Sequence, residues 1–226
     1  MAVMRRLLAL VLLIAAGVAL AGVVAQHSAR APEPAPARPT GPTASAVFAG
    51  GCFWSTESAF EHLPGVVSAT SGYSGGRTAN PTYQQVGAGG TGHLESVRVV
   101  YDPRQISYAS LVTRFLRTID PTDPDGQFCD QGDQYRTAIF VANAAERRAA
   151  DAAKAEAARQ LGAPVVTAVR PASAFYAAED YHQDFLTLNP TYPYIVYNDL
   201  PKVANLKQLF PGLYSDKPVL VSEAKS

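Results

Sequence analysis

The chain has 226 residues, of which 47% are hydrophobic and 17% are charged. Basic and acidic residues number 19 each, so the formal net charge is zero at pH 7. A balanced charge gives no long-range field that would recruit nucleic acid or an anionic membrane. We therefore expect one folded domain, acting as a monomer on a small or neutral partner.

The first 25 residues have the pattern of an export signal. Arg5 and Arg6 precede an almost unbroken apolar run at 7–25, as in secretory signals. The run either is cleaved, near residues 19–21, or stays as a membrane anchor, because an apolar run of about this length also spans a bilayer. These alternatives predict an extracytoplasmic protein, in the periplasm or cell envelope, with a possible membrane tether.

A linker is expected between this segment and the domain. Residues 26–45 are rich in proline and alanine and lack apolar periodicity, which is typical of an extended tether. The domain itself is expected at 46–226. In an oxidising compartment its two cysteines, Cys52 and Cys129, could form the structural disulfide of a non-catalytic binding module.

The domain opens with a strand, a sharp turn and a helix. AVFAG (46–50) predicts a short strand, and residues 53–62 are compatible with a helix that a following Pro-Gly pair ends. Cys52 is therefore expected at a strand-to-helix turn, as the first residue or cap of the helix. Residues 66–76 predict a second strand that enters a glycine-rich loop.

The rest of the domain continues this alternation. The patterns predict, in order, strand 93–101, helix 107–119, loop 120–133, strand 134–142, helix 143–162, strand 164–171 and helix 178–188. Interleaved strands and helices predict an α+β fold, a two-layer α/β sandwich with a mixed sheet and long loops.

Cys52 lies where a thiol can be reactive. The unpaired N–H groups and the positive dipole end of a helix favour a thiolate, so we expect a lowered pKa. Gly50 and Gly51 permit the sharp turn. Phe53 and Trp54, which follow, either pack in the core or form a pocket wall for a small apolar group such as a methyl.

Glu95 is a candidate proton donor. It shares one strand face with Val97 and Val99, the face that period-2 alternation assigns to the core. A carboxyl buried there has a raised pKa and can donate a proton near neutral pH. The pattern also allows Glu95 to lie at the strand end and point into solvent.

Seven ordered blocks resemble a known family. They are GCFWSTE (51–57), GYSGG (72–76), NPTYQQV (80–86), TGHLE (91–95), DPT (120–122), DQGDQYR (130–136) and AEDYHQDF (178–185). In order and spacing they resemble the A-type peptide methionine sulfoxide reductases, over about residues 46–211. The resemblance implies a ferredoxin-like plait, no bound cofactor, and reduction of the S epimer of methionine sulfoxide in oxidised proteins or peptides.

The same resemblance implies roles for individual residues. Cys52 matches the nucleophile that attacks the sulfoxide sulfur, and Glu95 matches the acid that protonates the departing oxygen. Attack leaves a sulfenic acid on Cys52. The implied substrate-binding residues are two hydroxyls for the sulfoxide oxygen, two walls for the methyl group and an acid for the substrate backbone: Tyr83 and Tyr135, Phe53 and Trp54, and Asp130.

The chain departs from the family at the resolving cysteines. Its C-terminal region has no cysteine, and Ser55 stands where some relatives have a second one. Cys129, which directly precedes Asp130, is the remaining thiol. We hypothesise that Cys129 attacks the sulfenic acid on Cys52 and that an external, thioredoxin-like dithiol opens the resulting disulfide.

One further class of protein stays open besides the disulfide-bonded module, and a methionine sulfoxide reductase is favoured over both. A cysteine/histidine hydrolase would use Cys52 on a carbonyl and need no reductant, but would give Glu95 and Cys129 no task. A metal enzyme is disfavoured because His62, His93 and His182 lack the spacing of a ligand set.

Overall fold

A six-stranded sheet is the frame of the structure, a computed structural model that describes residues 41–224. The strands are β1 Ala44–Ala49, β2 Val66–Ser74, β3 Leu94–Tyr101, β4 Gly126–Gln127, β5 Asp130–Gln131, β6 Ala138–Val141, β7 Ala168–Pro171 and β8 Phe175–Ala177. The sheet runs in the order β7-β6-β1-β3-β2-β8, and β4 and β5 form a separate hairpin. Only β6 and β7 pair in parallel among these described strands.

Seven α-helices connect and cover the strands in the described part of the chain. They are α1 Phe53–Glu61, α2 Tyr83–Gly87, α3 Tyr108–Thr118, α4 Ala144–Leu161, α5 Phe185–Leu188, α6 Leu200–Leu209 and α7 Val221–Ala224. A π-helical turn at Ile195–Asp199 leads directly into α6. The predicted α+β class with a mixed sheet is confirmed, whereas the finer description as a ferredoxin-like plait stays a prediction.

The helix caps form where the local sequence predicts them. Ser107 accepts a hydrogen bond from the backbone N–H of Ser110 at the start of α3. Asn143 accepts from two backbone N–H groups at the start of α4, and Gly162 ends that helix in the left-handed region at φ 65°. Each cap satisfies backbone groups that have no partner within the helix.

The core lies between the sheet and the helices α1 and α3. The ring of Phe48, on β1, lies 5.1 Å from that of Phe60 and 5.0 Å from that of Phe115 between centroids. Val97 and Val99, on β3, are fully buried. Each such side chain contributes roughly 1.5–3 kcal/mol by leaving water. The face of β3 that carries the two valines therefore faces the core.

Two predicted elements are corrected by the structure. Segment 120–133 is not entirely loop, because β4 and β5 pair within it. The predicted helix 178–188 is divided into a 3₁₀ turn, Asp180–His182, and the short α5. It breaks at Asp184, whose φ of 55° is incompatible with a continuous right-handed helix. The strand β8 and the helix α6 were not predicted.

The N-terminal predictions lie largely outside the described residues. These predictions are the signal or anchor at 1–25 and most of the linker at 26–45. Within residues 41–224, no helix has both the length and the apolar character needed to cross a membrane. The predicted extracytoplasmic location and membrane tether depended on residues 1–25 alone; both are withdrawn, and no compartment is assigned to the protein.

Gln127 anchors the loop that carries Asp130. The fully buried Gln127 accepts a hydrogen bond from the backbone N–H of Asp120 (2.8 Å). Its Nε2 donates to the backbone oxygens of Asp120 (2.7 Å) and Gly126 (2.8 Å). It also packs on Gly51, where φ is +82° and an added Cβ would come within 2.5 Å of the Gln127 Cβ. The turn before α1 and the hairpin loop are thus in direct contact.

Gln127→Ala is expected to lower the free energy of unfolding by about 2–4 kcal/mol, because it removes buried hydrogen bonds and leaves their backbone partners unsatisfied. Urea denaturation followed by circular dichroism measures the change. The matched control, Gln208→Ala, removes an exposed glutamine from α6 and should change stability by less than about 0.5 kcal/mol. Equal, small effects in both variants would contradict the anchoring role.

Candidate active site

The N-terminus of α1 borders a pocket of about 190 Å³. Its lining residues are Cys52, Phe53, Trp54, Tyr83, Glu95, Asp130, Tyr135, Tyr192 and Tyr194. Seven of these are residues that the sequence singled out, and they come from α1, α2, β3, β5 and a 3₁₀ turn. The remaining predicted residue, Cys129, does not line the pocket.

Cys52 is the N-cap of α1, as predicted, and its thiol is buried. The Cys52 Sγ lies 3.9 Å from Asp199 Oδ2, to which it donates. Burial raises the pKa of this thiol well above its ordinary value, the charges of Asp199 and Glu95 raise it further, and Lys202 opposes them only in part. The predicted lowering of the pKa is therefore wrong: the thiol is protonated at neutral pH.

Glu95 faces the core, as one of the two alternatives predicted. Its Oε2 accepts a hydrogen bond from the backbone N–H of Phe53 at 3.0 Å. Burial raises the pKa of Glu95 to about 8, and the charges of Asp130 and Asp199 add to this, while the hydrogen bond from Phe53 opposes it. The predicted rise in pKa is confirmed, and Glu95 holds a proton at neutral pH.

Three tyrosine hydroxyls stay protonated around this pair. Burial raises the pKa of Tyr83 to about 12 and also raises that of Tyr135, with a further contribution from Glu95 in both cases. Both hydroxyls can therefore donate hydrogen bonds into the pocket. The Tyr194 hydroxyl donates to Asp130 Oδ2 at 2.6 Å, which fixes the orientation of that carboxylate.

The aromatic wall formed by Phe53 and Trp54 is supported by contacts with His182 and Phe185. The Trp54 ring stacks on Phe185 with 4.0 Å between centroids, and its Nε1 donates to His182 Nδ1 at 3.1 Å. His182 also contacts Phe53, at 4.9 Å between ring centroids. Burial lowers the pKa of His182, so the ring stays neutral and can accept the Trp54 hydrogen bond. No specific role for His182 was predicted from the sequence, and in the structure it supports the wall.

Four residues of the C-terminal segment that border or support the site were not predicted from the sequence: Tyr192, Tyr194, Asp199 and Lys202. Asp199 Oδ1 accepts from Lys202 Nζ at 2.9 Å, and this ion pair is buried. An acid and a base three positions apart within a mostly apolar run, IVYNDLPKVANL (195–206), were a usable signal, because such positions are neighbours on a helix.

Cys129 lies at the tip of the β4–β5 hairpin, where it is exposed. Its neighbour Phe128 has a φ of 56°, and the next residue, Asp130, reaches the pocket. Cys52 and Cys129 are both free thiols. The disulfide required by the binding-module alternative is therefore not formed.

The fold and pocket define a cysteine-dependent enzyme, with a buried thiol beside a neutral carboxyl and an aromatic wall. A family model described as peptide methionine sulfoxide reductase matches residues 44–212. A relative named peptide methionine sulfoxide reductase MsrA 2, from Mesorhizobium japonicum, is 51% identical over 185 residues, which cover 80% of this chain and 95% of the relative. A relative of the same name from Caulobacter vibrioides is 42% identical over 210 residues, which cover 92% of this chain and 100% of the relative.

Solved structures agree with these sequence matches. Methionine sulfoxide reductase A of Corynebacterium diphtheriae has a TM-score of 0.60 at 34% identity, and the match covers 69% of this chain and 79% of that one. Reduced Mxr1 of Saccharomyces cerevisiae has a TM-score of 0.62 at 30% identity, and the match covers 66% of this chain and 87% of that one. The chain belongs to the peptide methionine sulfoxide reductase family, and it is a thiol-dependent methionine sulfoxide reductase.

In the reduced protein at pH 7, iodoacetamide should alkylate Cys52 at least about tenfold more slowly than Cys129, because the thiolate is the reactive form and Cys52 is both buried and protonated. Cys129→Ser and Cys52→Ser each leave a single thiol, so mass spectrometry measures the two rates separately. Faster alkylation of Cys52 than of Cys129 at pH 7 would show that the thiol is ionised despite its burial.

Proposed function

We propose that the protein reduces the S epimer of methionine sulfoxide in oxidised proteins and peptides, with Cys52 as nucleophile and Glu95 as acid. The observation that carries this proposal is the hydrogen bond from the Phe53 N–H to Glu95, which fixes the carboxyl beside the residue that follows Cys52. A sulfoxide oxygen is a poor leaving group, so attack at sulfur requires a proton on the departing oxygen. Glu95 holds such a proton at neutral pH.

The proposed substrate orientation follows the chemistry of the lining. Phe53 and Trp54 receive the methyl group, and the hydroxyls of Tyr83 and Tyr135 bind the sulfoxide oxygen. Asp130, held by Tyr194, binds the backbone of the substrate. These contacts present the sulfoxide sulfur to the thiol at the base of the pocket.

The proposed reaction transfers the sulfoxide oxygen to Cys52. The thiolate attacks the sulfoxide sulfur, and the proton of Glu95 passes to the oxygen. The S–O bond of the substrate then breaks as oxygen and proton join Sγ, which leaves a sulfenic acid on Cys52, methionine as product and an ionised Glu95. Cys52 is oxidised, and the substrate sulfur is reduced.

The proposed recycling uses Cys129. Its thiolate attacks the sulfenic sulfur, an S–S bond forms, and hydroxide leaves and becomes water. Two observations support this role: Cys129 is exposed, so a protein reductant can reach it, and it adjoins Asp130 at the pocket. The hairpin must bring Cys129 towards Cys52, and an external thioredoxin-like dithiol then opens the disulfide by exchange. The catalytic domain is proposed to span 46–226 and to act as a monomer.

With dithiothreitol as reductant, the protein should consume a peptide that carries S-methionine sulfoxide and leave the R epimer unchanged. Cys52→Ser should lose the activity because it removes the nucleophile, and Glu95→Gln should lower kcat by on the order of 10²-fold because it removes the acid. Chromatography of the two peptides measures both rates, with Gln208→Ala as an unaffected control. Consumption of the R epimer, or full activity in Cys52→Ser, would contradict the proposal.

After one equivalent of S-sulfoxide and no reductant, the wild type should form a Cys52–Cys129 disulfide, whereas Cys129→Ser should retain a sulfenic acid that dimedone labels. Intact-mass spectrometry distinguishes the two products, and Cys52→Ser should give neither. A wild type that accumulates sulfenic acid with Cys129 still free would instead indicate direct reduction of Cys52 by the external dithiol.

A further inference from the structure

A buried ion pair lies directly beside the reactive thiol. Asp199 Oδ1 is 2.9 Å from Lys202 Nζ, and Asp199 Oδ2 is 3.9 Å from Cys52 Sγ. Asp199 has no exposed surface, and Lys202 is 8% exposed. Desolvating two charges costs free energy that hydrophobic side chains of similar volume would not cost. Stability alone is therefore a poor explanation of this pair.

The proposed reaction needs a group that takes the thiol proton. Burial and nearby carboxyls raise the pKa of Cys52, whereas attack on the sulfoxide requires the thiolate. Glu95 cannot be the acceptor, since it must hold its own proton for the departing oxygen. Within residues 41–224, Asp199 is the side chain to which the Cys52 thiol donates a hydrogen bond.

The groups around Cys52 and Asp199 determine which of them carries the proton. Within residues 41–224, the titratable side chains that face the two residues are Glu95 on β3, Asp130 on β5, Lys202 on α6 and three tyrosines: Tyr83 on α2, Tyr135 in the 3₁₀ turn and Tyr194 before the π-helical turn. Burial raises the pKa of Asp199, Asp130 adds to this, and Lys202 opposes both. Lys202 is the cation that favours an ionised Asp199, and the raised pKa makes that carboxylate a stronger base than an exposed aspartate.

We propose that Asp199 is the catalytic base that takes the proton of Cys52 when the sulfoxide binds, and that Lys202 is a positioning residue that keeps Asp199 ionised and directed at the sulfur. This proposal rests on the proposed function. The S–H bond breaks, the proton moves to Asp199 Oδ2, and the electron pair stays on Sγ for the attack. Glu95 gives its proton to the sulfoxide oxygen. After methionine leaves, solvent returns a proton from Asp199 to Glu95, so the cycle balances.

The test compares two rates on the full chain in a Cys129→Ser background. One is the single-turnover reduction of an S-methionine sulfoxide peptide without reductant between pH 5 and 9, and the other is alkylation of Cys52 by iodoacetamide over the same range. Asp199→Asn should slow reduction at pH 7 by on the order of 10²-fold. It should nevertheless speed alkylation, because Lys202 without Asp199 lowers the pKa of the thiol. Asp199→Glu should restore part of the reduction rate.

The positioning role of Lys202 has its own signature in the pH profile. Lys202→Met removes the cation, so the pKa of Asp199 rises. The rising limb of the reduction profile should then move up by about one pH unit or more. The falling limb, which reflects loss of the Glu95 proton near its pKa of about 8, should stay in place. An ion pair that is merely structural would lower the rate without moving one limb.

Two further variants distinguish a chemical effect from loss of folding, and circular dichroism checks that every variant is folded. The double variant Asp199→Asn/Lys202→Met leaves no unpaired buried charge and should show the same loss of reduction as Asp199→Asn. Asp102→Asn, which removes a buried carboxylate paired with Arg104 at the other end of β3, should leave both rates unchanged.

Wild-type reduction rates in Asp199→Asn and in the double variant would overturn the proposal. If Asp199→Asn speeds both reduction and alkylation, the proposal is also overturned, because Asp199 would then act only by disfavouring the ionisation of Cys52. A wild type that reduces neither epimer would overturn the proposed function itself. The alkylation profiles would still show whether Asp199 controls the pKa of Cys52, so the two failures can be told apart.

Discussion

The exclusion of water from one small group of acids controls the chemistry of this protein. Cys52, Glu95 and Asp199 are all buried, and three such groups cannot all be ionised in a low-dielectric site. Cys52 and Glu95 therefore hold protons at neutral pH. Asp199 instead forms an ion pair with Lys202. In the proposed mechanism, burial thus separates the acids of the pocket into proton holders and a proton acceptor, which is the division that the proposed reaction requires.

The magnitudes of the two effects explain why burial outweighs the helix N-terminus in setting the pKa of Cys52. The helix dipole contributes about 0.3–1 kcal/mol, and up to about 2 in partly buried sites. Desolvation shifts the pKa of a fully buried group by up to about 3–5 units, and each unit is worth about 1.36 kcal/mol. A buried thiol that stays protonated reacts slowly with oxidants. In the proposed mechanism, Cys52 therefore stays protonated until a sulfoxide binds and Asp199 takes the thiol proton.

Several separate segments of the chain supply the pocket, and side-chain hydrogen bonds hold them in place. Gln127 holds the segment before the hairpin, and Tyr194 fixes Asp130 at the hairpin's second strand. Trp54 is held by His182. The contacts of Tyr194 and Trp54 join residues that are 64 and 128 positions apart, so this part of the pocket forms only when distant segments pack together.

The sequence alone determined the features that depend on near neighbours: the caps at Ser107 and Asn143, Cys52 as the N-cap of α1, and the buried face of β3 that carries Val97 and Val99. It left open whether Glu95 shares that face or points into solvent. The tertiary structure decided the rest. It set the protonation of Cys52 and placed Asp199 beside it, although the two are 147 positions apart. Period and cap signals report which face of an element is buried, but the charge state of a buried group depends on which distant segment covers it.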